Sequence, residues 1–183
     1  PEPQFDESLA QRQPLRILLA EDNEINRRVA LRMLRGFGYE AEEAHNGAEV
    51  IDALKVRTYD LVLMDIQMPG VDGLDATRFI MSNIAPQQRP RVAAMSASVM
   101  REDMQAALAA GAAEYIPKPF SPAELRAALE RAAEARQPIT TLASKREESQ
   151  EAVLALGKLH DLMQADADGS FLDGLIASFA SAS

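Results

Sequence analysis

The sequence predicts an α/β domain built on a five-stranded parallel sheet with helices on both faces. Three observations carry this. Five short apolar runs alternate with five segments of helical spacing, the pattern of βαβ units. The third run, Leu61-Val62-Leu63-Met64, is apolar at every position, as in a strand covered on both sides. Polar residues follow four of the runs directly: Glu21-Asp22, Asp65, Ser96 and Lys118. The carboxyl ends of parallel strands are where open α/β sheets hold their ligands.

The elements follow in order. Residues 1–14 contain three prolines and little apolar pattern, and read as a linker from an upstream region. Leu15 to Ala20 is the first strand. Asp22 or Asn23 caps the helix that follows, with Ile25, Val29 and Leu34 near helical spacing, and Gly36 and Gly38 stop it. Tyr39 to Ala44 reads as the second strand, Asn46-Gly47 as a turn and Ala48 to Val56 as a helix. Asp60 to Met64 is the third strand, and Gly73 to Asn83 the next helix. Arg91 to Met95 is the fourth strand, Arg101 to Ala110 a helix closed by Gly111, and Ala112 to Ile116 a short fifth strand. Ser121-Pro122-Ala123-Glu124 opens the last helix, with Ser as cap, Pro at the first position and Glu at the third. Leu125, Leu129 and Ala132 carry its inner face. Right-handed crossovers leave few windings for such a chain, and the doubly wound, flavodoxin-like order is the expected one.

Composition narrows the function. The 183 residues are 47% apolar and 26% charged, enough for a core and a well-solvated surface. A net charge of −9 and a pI near 4.8 argue against nucleic-acid binding and against contact with an anionic membrane. The absence of cysteine excludes disulfides and thiolate metal sites, and fits a cytoplasmic setting. No apolar stretch reaches the length of a membrane span. Pro1 stands where an initiator Met would be, so a piece of a longer protein is expected.

A parallel sheet brings Glu21, Asp22, Asp65, Ser96 and Lys118 to one edge. Three crowded carboxylates raise one another's pKa unless a cation neutralises them. Their hard oxygens suit a divalent ion, with Mg²⁺ the natural choice. A hydroxyl and an ammonium opposite it would receive a dianionic group carried by a carboxylate. That is the chemistry of an aspartyl phosphate. Each residue alone has a plainer explanation, as a turn, a cap or a surface lysine; the joint pattern argues against all of them.

Four stretches carry a resemblance: Leu19-Ala20-Glu21-Asp22-Asn23; Met64-Asp65-Ile66-Gln67-Met68-Pro69 with Asp72-Gly73; Ala94-Met95-Ser96-Ala97; and Tyr115-Ile116-Pro117-Lys118-Pro119-Phe120. In this order and spacing, residues 15–136 resemble a receiver domain of two-component signalling. The resemblance implies that Asp65 accepts a phosphoryl group from a partner's phosphohistidine. It implies Asp22 as a direct Mg²⁺ ligand, Glu21 as a helper, and the Gln67 backbone carbonyl as a further ligand. Ser96 and Lys118 would each hold a phosphoryl oxygen, and Tyr115 would turn inward as Ser96 moves. The Lys118-Pro119 bond would be cis. Such a module catalyses only its own phosphorylation and slow dephosphorylation. Glu for Asp at 21 and Ser for Thr at 96 are mild departures.

Glu21-Asp22-Asn23 with Asn26-Arg27 is similar to receivers fused to hybrid histidine kinases. The implied partners are the kinase dimerisation and phosphoacceptor domain and a histidine phosphotransfer domain. Residues 137–169 read as a linker containing a helix at Ala152 to Met163. Residues 170–183, with Phe171, Leu172, Leu175, Ile176 and Phe179 on one face, read as the start of a further helical module. His45 and His160 lack a phosphodonor context. A docking platform is the alternative function, using the face formed by Arg101 to Ala110, Tyr115 and Ser121 to Arg136. A free-standing aspartyl phosphatase is disfavoured because Asp65-Ile66-Gln67 lacks a second carboxylate as acid/base.

Overall fold

The computed structural model describes residues 5–98 and 100–136; the linker and helical module expected beyond Arg136 lie outside them. Five strands, β1 (Ile17–Ala20), β2 (Ala41–Ala44), β3 (Leu61–Asp65), β4 (Arg91–Ser96) and β5 (Glu114–Pro117), form one sheet. Every pairing is parallel and the order is β2-β1-β3-β4-β5, so the doubly wound expectation holds. Six α-helices flank it: α1 (Leu9–Arg12), α2 (Glu24–Gly36), α3 (Gly47–Val56), α4 (Gly73–Asn83), α5 (Arg101–Ala110) and α6 (Pro122–Arg136).

The period of two in each strand divides the core into two layers. Ile17, Leu19, Leu61, Leu63, Ala93 and Met95 face α2 and α6, meeting Ala30, Leu34, Leu125 and Leu129. Leu18, Val62, Met64, Val92 and Ala94 face α3, α4 and α5, meeting Val50, Ala76, Ile80 and Ala107. β1 and β3 are buried throughout, whereas β2 lies at the edge with Glu42 and Glu43 exposed. Charge on an open edge discourages a further strand from pairing there.

One expectation needs correction. Residues 5–14 are not a free linker: α1 lies there, Leu9 is 1% exposed within the α2–α6 layer, and the Phe5 ring meets the Phe37 ring edge-on at 5.3 Å. The Tyr39 hydroxyl donates to the Gln13 carbonyl at 2.6 Å. Gly38 makes this close approach work, having φ +81° and no Cβ, which would otherwise sit 2.1 Å from the Glu7 carbonyl oxygen. One Leu and one Phe among prolines and charges leave no periodicity to read. The helix expected after the acidic pair forms as α2. Of Ile25, Val29 and Leu34 only Leu34 is buried; Ile25 and Val29 point to solvent, at 74% and 47% exposure.

At the amino edge of the sheet Asp60 ties β1 to β3. Its carboxylate accepts the Arg16 backbone N–H at 2.7 Å and the Arg16 guanidinium at 2.9 Å, with Arg136 at 3.4 Å. Burial alone would raise the Asp60 carboxyl, but the Arg16 hydrogen bonds and charge, aided by Arg136, hold it below the ordinary value. A depressed folded pKa contributes stability above the unfolded pKa, and that contribution is lost as pH falls through the folded value. Asp60→Asn should therefore cost about 1–3 kcal/mol at neutral pH. The gap between variant and wild type in urea unfolding should close as pH falls through the Asp60 folded pKa.

Candidate functional site

The carboxyl edge assembles its polar residues through ordinary local rules. β1 ends on Ala20, and the Glu21 backbone N–H donates to the Ala44 carbonyl at 3.0 Å. Asn23 then caps α2, its side chain accepting the N–H groups of Ile25 and Asn26 at 2.9 and 3.1 Å. The Arg27 guanidinium donates to the Glu21 carbonyl at 3.1 Å and to the Asp22 carbonyl at 3.4 Å, fixing the backbone of the acidic pair. β3 ends on Asp65, where the Ile66 N–H crosses to the Met95 carbonyl at 2.9 Å and receives the chain back as Gly73 N–H donates to the Ile66 carbonyl at 3.0 Å. A Cβ on Gly73 would lie 2.0 Å from the Asp65 carbonyl oxygen, so only glycine allows α4 to start there.

These constraints bring the predicted acids together. One carboxylate oxygen from each of Glu21, Asp22 and Asp65 lies within 4.8 Å of the others. Lys118 reaches across from the end of β5: its Nζ is 2.5 Å from Glu21 Oε2 and 2.7 Å from Asp65 Oδ2. Glu21 and Asp65 are buried, at 1% and 5% exposure, while Asp22 is exposed. Burial, in the first place, raises the Asp65 carboxyl above its ordinary value; Lys118 opposes the shift, Glu21 adds to it, and the Gln67 N–H at 3.1 Å on Oδ1 opposes it. The negative charge thus exceeds what one ammonium neutralises. Three hard oxygen donors with one exposed member fit a partly hydrated divalent ion such as Mg²⁺.

Ser96 is buried at the end of β4, and its hydroxyl accepts the Ser98 N–H at 3.1 Å. Its carbonyl accepts the Lys118 N–H at 2.7 Å, which sets the two strand ends in register. Among the described residues no hydrogen bond links the Ser96 hydroxyl to Asp65 or Lys118. Tyr115 is half-buried, and its hydroxyl donates to the Ser98 carbonyl, so it is tied to the same loop. The Lys118–Pro119 peptide is cis. Gln67, two residues beyond Asp65, is exposed.

Beside the acids lies a recess of about 360 Å³ lined by Asn26, Val29, Ala97, Lys118, Pro119 and Phe120. A larger one, about 640 Å³, occupies the opposite edge among Arg16, Asp60, Arg89, Arg91 and Arg136. Arg16 and Arg136 already pair with Asp60, and Arg91 with Glu114, so that recess is a by-product of the ion pairs joining the strand starts. Asn26 and Arg27 were not singled out as site residues from sequence. Their place in the first turn after the acidic pair was the available signal.

Comparison with known proteins agrees with this geometry. Residues 17–130 match the response regulator receiver domain family. The chain is 40% identical over 136 residues to histidine protein kinase 1 of Candida albicans, covering 69% of this chain and 6% of that protein. It is 39% identical over 129 residues to hybrid signal transduction histidine kinase G of Dictyostelium discoideum, covering 69% of this chain and 4% of that one. The chain thus spans only a small part of these relatives. Among solved structures, the receiver domain of a sensor histidine kinase from Pseudomonas aeruginosa PAO1 is 34% identical with a TM-score of 0.61. The match covers 66% of this chain and 98% of that one, whose structure holds a magnesium ion coordinated in the active-site cleft. Sheet order, acidic cluster, the lysine on the cis peptide and residue-by-residue similarity agree: this chain belongs to the response regulator receiver domain family of two-component signalling.

Proposed function

We propose that this domain takes a phosphoryl group from a phosphohistidine onto Asp65 and relays it or switches a partner with it. The observation that carries this is the sharing of Lys118 between Asp65 and Glu21, with Asp22 alongside, at the carboxyl edge of the sheet. Asp65 is the nucleophile: its oxygen bonds to phosphorus as the bond from phosphorus to the imidazole nitrogen breaks, the electron pair returning to the ring. Glu21, Asp22, Asp65 and the Gln67 backbone carbonyl would hold Mg²⁺, which supplies charge neutralisation for the phosphoryl oxygens. Lys118 releases Glu21 and pairs with one phosphoryl oxygen. The Ser96 hydroxyl, which accepts the Ser98 N–H, would donate its proton to another phosphoryl oxygen, and Tyr115, tethered to that loop, would follow. No helix among the described residues is long and apolar enough to cross a membrane; we place the segment in the cytoplasm.

The donor would approach over α2. Ile25 and Val29 offer an exposed apolar strip one turn apart, and Val29 also lines the recess that opens on Lys118. That suits the apolar face of a helix carrying the histidine, from a kinase phosphoacceptor domain or a phosphotransfer domain. Wild type incubated with acetyl phosphate and Mg²⁺ should gain one phosphoryl group by intact mass, and a chelator should prevent it. No gain in a folded, Mg²⁺-binding domain would sink this reading. A docking platform is the second reading, favoured by Met100 at the start of α5 and Met104 and Leu108 along it, at 65%, 39% and 46% exposure. Equal partner binding by wild type and Asp65→Ala would support docking over phosphotransfer.

A further inference from the structure

The start of α2 does more than cap a helix. Asn23 fixes the first turn by accepting the backbone N–H of residue 26, and this turns the Asn26 side chain back toward the end of β1. There Asn26 Nδ2 donates to Glu21 Oε1 at 3.1 Å, while Lys118 holds Glu21 Oε2 at 2.5 Å. The two oxygens of a buried carboxylate therefore have separate partners, one neutral and one cationic. Phosphoryl binding asks Lys118 to leave, and among the described residues the Asn26 contact is the one that then remains to hold the carboxylate in place.

We propose that Asn26 is a positioning residue for Glu21: it keeps Oε1 engaged so that Oε2 alone is exchanged between Lys118 and an incoming divalent cation. This rests on the reading of the acidic cluster as the cation and phosphoryl site. Glutamate at this position makes such a guide necessary, since its extra methylene adds a rotatable bond compared with aspartate. Without Asn26, both oxygens of Glu21 turn to the Lys118 ammonium, Lys118 is held more firmly, and the cation finds a misaligned ligand. Partners that orient metal ligands in this way are commonly as consequential as the ligands.

The test is a double-mutant cycle on the full chain, with Mg²⁺ affinity read by titration calorimetry and thermal unfolding as a fold control. Asn26→Ala should weaken Mg²⁺ binding on the order of tenfold. In a Glu21→Asp background, where the shorter side chain does not reach Asn26, the same change should cost less than about twofold. Phosphoryl gain from acetyl phosphate should slow in Asn26→Ala at sub-saturating Mg²⁺ and return to the wild-type rate at saturation, since Asn26 touches no reacting atom. An equal penalty in both backgrounds would assign the effect to the helix start and overturn the proposal, as would no penalty in either. Wild type that binds no Mg²⁺ would overturn the cation reading itself, and the proposal with it.

Discussion

Asp65→Asn should abolish phosphoryl gain from acetyl phosphate and Mg²⁺, leaving a single unmodified species by intact mass where wild type shows one added phosphoryl group. The amide keeps the shape of the carboxylate but has no charged oxygen to attack phosphorus. Neither neighbour replaces it: Glu21 has both oxygens engaged, by Asn26 and Lys118, and Asp22 is exposed beside the cleft. The variant also carries its own fold control. Burial raises the folded pKa of Asp65, so its contribution to stability is present below the unfolded pKa and lost as pH rises through the folded one. At neutral pH a neutral isostere relieves that cost, and the melting temperature of Asp65→Asn should lie at or above wild type. The difference should shrink as pH falls toward about 4, the ordinary range of a carboxyl. A phosphoryl group of normal stoichiometry on the folded variant would remove Asp65 from its assigned role.

Deleting residues 1–14 should destabilise the domain by about 3–5 kcal/mol, visible as a lower midpoint in urea at nearly unchanged slope. Leu9 is a core residue of the α2–α6 layer, and burying such a side chain is worth roughly 1.5–3 kcal/mol. Its loss also uncovers Phe37, which is 1% exposed and packs against Phe5, and removes the carbonyl that accepts the Tyr39 hydroxyl. Leu9→Ala alone should take about 2–5 kcal/mol of this, through the cavity it leaves. A loss below about 1 kcal/mol on full deletion would return the segment to the status of linker.

The contrast between these two variants shows what was legible in the sequence. The place of Asp65 was readable although a strand-end carboxylate alone has plainer uses, because Glu21, Asp22, Ser96 and Lys118 end neighbouring runs in the same manner. α4 and α5 took their expected bounds, since Asp72-Gly73 and Gly111 punctuate the chain sharply. The capping box at Ser121 and Glu124 formed as read, each side chain bonding the other's backbone N–H. α1 was invisible because one turn of helix has no period, and its Leu9 is recruited by a pocket that residues 34–39 create far along the chain. Ile25 and Val29 show a different limit of pattern reading. They fall near helical spacing, but that spacing says only that residues share a face, and here the face is turned to solvent. The Asn26 contact needed the cap geometry of Asn23 before it could be seen at all.

The grip of Lys118 on Glu21 and Asp65 has a consequence for how the domain senses its medium. With the cluster read as a cation site, an ammonium already occupying two of three carboxylates is a resident competitor that a divalent ion would have to displace before it settled. Every 1.4 kcal/mol held in those two contacts raises tenfold the concentration at which such an ion half-fills the cleft. A resting domain of this kind would be insulated from trace metal and would respond only where the free ion is abundant. On that reading, its readiness to be modified would be set by the ionic supply of the surroundings before any donor arrives.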